Sequence, residues 1–329
     1  MTNRIEKIVI IGGGTAGWLT AATLAAEFKG GPEGVSVTLV ESDQTGAIGV
    51  GEGTWPSMRS TLQKIGISET DFVRECDASF KQGSKFIGWL DGGEESYYHP
   101  FSLPQGYSDV NLTDFWYPHR DQVSFAEAVC PQVRVCEQHA APKQISTPDY
   151  AFTLNYGYHL DALKFARLLQ RHAVEKLGVR HLTDHIVKIN SKPDGDIASV
   201  QGEKVGEISG DLFIDCSGFM SLLLGRHYGI PFLDMKGILF NDRALAVQVP
   251  YPEENAPIAS ATLATAQRAG WVWDIGLPTR RGTGYVYSSR YTDEAQARED
   301  LHAYLRSTSP GIPVGDLPVR LIEINPGYR

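Results

Sequence analysis

Residues Lys7–Gly17 read KIVIIGGGTAG: a short β-branched apolar run, then three glycines, then the start of an amphipathic stretch from Leu19 to Phe28. This order predicts a strand, a tight glycine turn and a helix. A second apolar run, Val35 to Val40 (VSVTLV), leads into Glu41, twenty-four residues past Gly17. Gly12, Gly14 and Gly17 fill a GxGxxG pattern in which each glycine has its own reason. The first permits the turn, the second lets a diphosphate approach the backbone, and the third lets helix and strand pack closely. The free amides of Thr15 and Ala16, with the positive end of the helix dipole, favour an anion there. Glu41 then stands where it accepts from ribose hydroxyls. The complete context raises a dinucleotide site above the alternative of a plain glycine-rich turn.

Working outward, Asp161 to Leu177 reads as a helix, with Leu163, Ala166, Leu169 and Ala173 at helical spacing. HIVKI (185–189) and DLFID (211–215) read as buried strands, and Phe219 to His227 as a helix. Ala244 to Val249, Gly270 to Ile275 and Gly284 to Tyr287 read as strands of an antiparallel sheet, and Asp293 to Leu305 as a helix. From Asp91 to Pro148 periodicity fades while Pro, Gly and aromatics accumulate. Tyr97, Tyr98, Phe101, Tyr107, Phe115, Trp116, Tyr117 and Phe125 double the chain's 10% aromatic content over residues 91–130. Such a segment is either a functional lid or a loop packed by its own aromatics.

Composition excludes several classes. The 329 residues are 42% hydrophobic and 21% charged, enough to bury a large core. Thirty-nine acids against thirty bases give a net charge of −9 with no basic block, which argues against nucleic acid as a partner. No run approaches a membrane span, and MTNRIEK leads directly into a core strand, so the expected address is cytoplasmic. Cys76, Cys130, Cys136 and Cys216 lack CxxC spacing and read as free thiols. His181 and His185 have no third ligand nearby in the sequence, so no metal is expected.

After Glu41 comes AIGVGEGTWP, a glycine-rich stretch whose Gly49, Gly51 and Glu52 are placed to lie along the ribityl and isoalloxazine of a flavin. DLFIDCSG, with Asp215 and Gly218, resembles the second flavin-contacting fingerprint of aromatic hydroxylase-type flavoproteins. Two fingerprints favour FAD over NAD, and Val187 is assigned to the same cofactor set. GGGTAGW, GVGEGTWP, SFKQGSKFIGW, YYHPF, YHLDALKFARLL, DLFIDCSG and Trp271-x-Trp273-x-Ile275 together resemble the flavin-dependent halogenases of the tryptophan halogenase type, in order and spacing along the whole chain.

The resemblance implies an α/β, FAD-binding Rossmann-like fold of the aromatic hydroxylase type with an added antiparallel sheet on the substrate side. Residues 1–329 form one domain: dinucleotide-binding elements at 5–60 and 155–230, the aromatic-rich insertion at 90–150, and the antiparallel sheet at 240–290. Lys81 takes the position of the family's catalytic lysine, with Lys85 second. Trp271, Trp273 and Ile275 form a tunnel wall expected between the GVGEGTWP stretch and Lys81. The implied cofactors and substrates are FADH2 from a separate flavin reductase, O2, a chloride or bromide ion, and a small electron-rich aromatic, an indole foremost. Two departures stand out. The family's WxWxIP proline arrives two positions late, at Pro278, which implies a divergent branch. A segment carrying a catalytic glutamate and halide site is also expected beyond Arg329. The alternatives are an FAD-dependent aromatic monooxygenase and an inactive flavin-binding fragment.

Overall fold

The structure, a computed structural model, describes residues 4–28, 34–43 and 51–329. Strands β1 (Lys7–Ile11) and β2 (Ser36–Glu41) are adjacent and parallel, Ile8 facing Val37 and Ile11 facing Val40. They form the centre of a four-stranded parallel sheet closed by β8 (Arg180–Thr183) beside β2 and β12 (Leu212–Asp215) beside β1. The unbroken apolar run of β1 follows from burial on both faces. Ile8 and Ile10 pack under helices α1 (Thr15–Glu27) and α7 (Ala162–Glu175), whereas Val9 and Ile11 pack against a small antiparallel sheet. That small sheet consists of β9 (Ile186–Ser191), β10 (Ile197–Gly202) and β11 (Glu207–Ser209).

Three sequence expectations are corrected here. HIVKI is not a buried strand: β9 lies outside the parallel sheet, with Val187 57% exposed and Lys188 exposed. In α7 the buried stripe is Ala162, Phe165, Leu168, Leu169 and Ala173, while Leu163 is exposed. Asp161 caps α7, accepting from Leu163 N (2.9 Å) and Lys164 N (3.0 Å), which sets the rotation that the apolar spacing alone left open. The stretch from Phe219 to His227 is not one helix. Ser221, at φ +43°, separates a 3₁₀ turn (Gly218–Met220) from a π-helical turn (Leu222–His227).

A seven-stranded sheet runs β18 (Arg320–Glu323), β14 (Arg243–Pro250), β17 (Arg280–Tyr287), β16 (Gly270–Gly276), β15 (Thr262–Gln267), β5 (Gly83–Ile87), β6 (Ser96–Pro100). All its pairings are antiparallel except β15 with β5. Helix α8 (Glu294–Thr308) covers one face through Ala297, Leu301 and Leu305 against Leu245, Val272 and Tyr285. Between the two large sheets lies a three-stranded one: β3 (Glu52–Gly53), β7 (Gly157–Leu160) and β4 (Ser79–Lys81). Helices α2 (Ser57–Ile65) and α3 (Glu69–Glu75) connect β3 to β4 and bury Leu62, Ile65 and Phe72 in the core under α1. Finally, β13 (Leu233–Asp234) pairs with β19 (Gly327–Tyr328). The segment from Asp91 to Pro148 is more ordered than its composition implied. It holds β6 and the short helices α4 (Leu112–Trp116), α5 (Phe125–Val129) and α6 (Gln132–Glu137), each too short to show a period in sequence.

Candidate functional site

At the carboxyl ends of β1 and β2 the glycine turn behaves as its spacing demands. Gly12 sits at φ +116° and donates its N–H to Val40 O (2.8 Å). A Cβ there would overlap Cys216 O, and one on Gly17 would overlap Gly12 O. At Gly14, by contrast, a Cβ would meet nothing within 4 Å among the described residues. The first bond of α1 runs from Trp18 N to Gly14 O (3.1 Å) and no side chain caps the helix, which leaves the amides of Thr15, Ala16 and Gly17 pointing out of its N-terminus. A cavity of about 350 Å³ opens there, lined by Gly12 to Gly14 on one side and Cys216 to Gly218 on the other, with Ser42 and Ile186 beyond. The two glycine-bearing fingerprints therefore face one space. Open amides at a helix end, an unfilled Cβ position and a long cleft fit the diphosphate of a dinucleotide.

Glu41 is held from within the protein. Its Oε2 accepts from Trp18 Nε1 (3.3 Å), and His181 Nε2 lies 3.0 Å from Oε1. The indole and imidazole meet edge to face, with centroids 5.0 Å apart. That contact gives the tryptophan after GxGxxG a role that spacing did not reveal. It also uses His181 in a way unrelated to metal, while His185 Nδ1 lies 3.2 Å from Ser42 Oγ. Asp215 does not turn its carboxylate into the cavity. It accepts from Ser217 N, Ser217 Oγ, Leu223 N and Leu224 N, and although burial pushes its pKa up, these bonds outweigh burial and hold it below the usual range. Gly218, at φ +61°, does line the cavity, and Val187 only neighbours the lining residue Ile186. Gly51 is buried, a Cβ on it lying 3.7 Å from Gly282 Cα. Glu52 reaches solvent on one side, while burial against protein on the others pushes its carboxyl up. Gly49 lies outside the described residues.

Lys81 ends β4, on the face of the three-stranded sheet that carries Gly53 and His159. A Cβ on Gly53 would stand 3.1 Å from Lys81 Nζ and 3.5 Å from His159 Cδ2. The amine lies 5.8 Å from the ring of Trp55 and 5.6 Å from that of Phe101, and among the described residues it makes no ion pair or hydrogen bond. Burial lowers its pKa. His159 is fully buried, its Nε2 2.8 Å from Thr262 Oγ1 and its Nδ1 without a partner. Burial, and then the charge of Lys81, push it down to about 3. Lys85 is engaged elsewhere, ion-paired to Glu137 at 2.7 Å and 5.3 Å from the ring of Tyr98.

Trp271 and Trp273 share a face of β16, with centroids 6.5 Å apart, and Ile275 is buried on the same face. Trp271 lies against Trp89 (6.2 Å), and the ring of Trp273 fills the space that a Cβ on Gly284 would need. The expected interposition fails, however. Gly53 and Trp55 belong to the GVGEGTWP stretch and touch the surroundings of Lys81 directly, so the indoles do not stand between that stretch and the lysine. Period two fixed their common face but not the path of β3, which pairs with β7 and brings Gly53 beside Lys81.

The sequence profile described as tryptophan halogenase matches residues 7–328. The tryptophan 7-halogenase RebH of Lentzea aerocolonigenes is 36% identical over 90% of this chain and 58% of its own length. The crystal structure of a tryptophan halogenase from Shewanella frigidimarina NCIMB 400 superposes with a TM-score of 0.94 at 54% identity, covering 100% of this chain and 64% of that one. Xcc4156, a flavin-dependent halogenase from Xanthomonas campestris, gives 0.85 at 34% identity, covering 99% and 63%. The chain thus spans less than two thirds of the length of each.

Proposed function

The chain belongs to the tryptophan halogenase family, and from that premise we propose that it serves FADH2-dependent halogenation of an electron-rich aromatic, an indole foremost, with chloride or bromide as the halogen source. Bound reduced FAD with O2 supplies the two-electron oxidation that turns halide into hypohalous acid. A separate flavin reductase delivers the reduced cofactor. The amides at the α1 N-terminus and the glycines of both fingerprints would hold it.

Lys81 carries the reading. It is a half-buried amine with no carboxylate partner, set among aromatic rings. An ordinary surface lysine is solvated or ion-paired, as Lys85 is. The lowered pKa raises the share of neutral amine, whose nitrogen attacks the halogen of hypohalous acid. An N–halogen bond forms, the oxygen leaves as water with the amine proton, and the electrophilic halogen passes to one carbon of the arene, which then loses its own proton. Trp55 and Phe101, with centroids 5.4 Å apart, offer the apolar surface that aligns the arene with that nitrogen.

The test supplies FAD, a reductase with NADH, O2, bromide and tryptophan or indole, and reads product mass. A monobrominated product with the two-isotope pattern of bromine is expected. A gain of one oxygen without bromine would replace this reading with the aromatic monooxygenase.

A further inference from the structure

We propose that Arg226 is the cation that meets the negatively charged diphosphate of the bound dinucleotide. This rests on the flavin reading above and assigns a residue to it. Besides glycines and apolar side chains, the cavity shared by the two fingerprints is lined by Ser42, Ser217, His185, the carboxylate of Asp184 and, among the described residues, one Lys or Arg side chain, that of Arg226. An acidic chain of net charge −9 has little long-range attraction for a dianion, so one local cation matters more here than it would on a basic surface.

The backbone is built to hold that arginine at the cavity. Ser221, at φ +43°, opens a π-helical turn, a form rare in itself and frequent at functional positions. Asp215 fixes the start of the turn by accepting from Leu223 N (2.8 Å) and Leu224 N (3.1 Å), and Ser221 O accepts from Arg226 N (2.9 Å). The turn thereby places Met220, Leu222 and Arg226 on the cavity wall together. Among the described residues the guanidinium of Arg226 has no carboxylate partner, and its one side-chain hydrogen bond is to Met220 Sδ at 3.3 Å, a weak acceptor. Other charges nearby are already used. The Asp184 carboxylate accepts from Lys204 N and Val205 N, while Arg329 donates to Ile230 O (3.1 Å) and stands 5.6 Å from the ring of Phe232. A guanidinium on the wall of the cavity into which the helix amides open, with no carboxylate partner among the described residues, can offer its fork of N–H donors to a phosphate.

The experiment titrates the whole chain and its Arg226→Gln and Arg226→Lys variants with FAD at low and high salt, with ADP and adenosine as competitors. Arg226 is exposed and its contact is to a thioether, so both variants fold, which circular dichroism checks. The expected result for Arg226→Gln is a loss of about tenfold in FAD and ADP affinity, a shallower salt dependence and unchanged adenosine binding. Arg226→Lys should recover part of the loss. Equal FAD binding by Arg226→Gln and the parent overturns the assignment, as does an equal loss for ADP and adenosine. If the parent chain binds neither FAD nor ADP, the flavin reading itself falls, and this assignment with it.

Discussion

Gly14 and Gly17 lie three positions apart in one motif, yet the structure gives them opposite burdens. A Cβ on Gly14 meets no described residue within 4 Å, and its backbone, at φ −73°, suits any residue. A Cβ on Gly17 collides with the backbone of β1's turn. Gly14→Ala should therefore leave stability within about 0.5 kcal/mol while weakening FAD binding. Gly17→Ala should cost about 1–3 kcal/mol of stability by forcing α1 off the sheet. Thermal unfolding with and without FAD separates the two, and equal loss of stability in both variants would sink the distinction. At Lys81 the expected pattern is reversed. Lys81→Ala should lose halogenation by at least about 100-fold with FAD affinity retained, because its amine lies away from the dinucleotide cavity. Lys81→Arg should not rescue, since a guanidinium stays protonated. Substantial bromination by Lys81→Ala would withdraw the role. Sequence singled out Lys81 only through resemblance, whereas its aromatic surround and missing counter-ion are visible only once folded. His159 gives no sequence signal because its partner Thr262 lies about a hundred residues on, and Arg226 gives none because the cavity it lines is closed by glycines about two hundred residues earlier.

Among the elements, those legible in sequence are those whose burial is simple. β1 is apolar from Ile8 to Ile11 because both faces are covered, β2 buries Val37, Leu39 and Val40 beside it, and α1 follows directly on the glycine turn. β17 was read from Gly284, though it begins at Arg280. Its first half, Arg-Arg-Gly-Thr, lacks a strand pattern because Arg280 and Arg281 are kept there for the carboxylates of Asp161 and Asp274. The junction of α3 with the 143–158 segment was equally hidden. Glu69 accepts from Lys143 Nζ, Tyr156 Oη and Tyr158 Oη, each at 2.6 Å, and from Tyr150 N. Burial works to raise its pKa, but these donors outweigh it and hold the carboxyl below its usual range. Lys143→Met removes one partner of a buried pair and should cost about 3–5 kcal/mol, read as a lower urea midpoint. A change below about 1 kcal/mol would show that the tyrosines alone suffice. In β7, His159 is held near 3 against an ordinary 6.5, so between those values the unfolded chain binds a proton that the folded one refuses. Stability should fall as pH drops from about 6.5 towards 3. His159→Gln keeps a hydrogen-bonding group toward Thr262 and should flatten that slope. Parallel slopes for the two proteins between pH 7 and 5 would refute the assignment.

Across the whole molecule, the proposed reaction needs the dinucleotide cavity and Lys81 to keep a fixed separation, although they belong to different sheets. The chain passes from one to the other where β7 runs into α7 at Asp161, and a side chain of the third, seven-stranded sheet braces that junction. Arg280, at the start of β17, donates to Asp161 Oδ2 (2.9 Å) at the cap of α7 and lies 3.5 Å from Asp77 Oδ2, whose other partners are Thr279 Oγ1 and, at 3.9 Å, Lys164. Burial pushes the Asp161 carboxyl up, but the backbone N–H of Lys164 and the guanidinium of Arg280 more than reverse this and hold it below the usual range. A carboxyl depressed in the folded state adds stability above its unfolded pKa and loses it as pH falls through the folded value. Arg280→Met removes the guanidinium share and leaves the largely buried carboxylates of Asp77 and Asp161 without it. The loss should be about 3 kcal/mol at pH 7, the lower end for a broken buried pair because the joint keeps some solvent contact. It should narrow below the usual carboxylate range, where protonation relieves the unpaired charge. Urea unfolding of both proteins at pH 7 and pH 4 measures this. A penalty that stays constant on acidification would mean that Arg280 acts by packing its aliphatic stem, and the electrostatic brace on the β7–α7 junction would have to be abandoned.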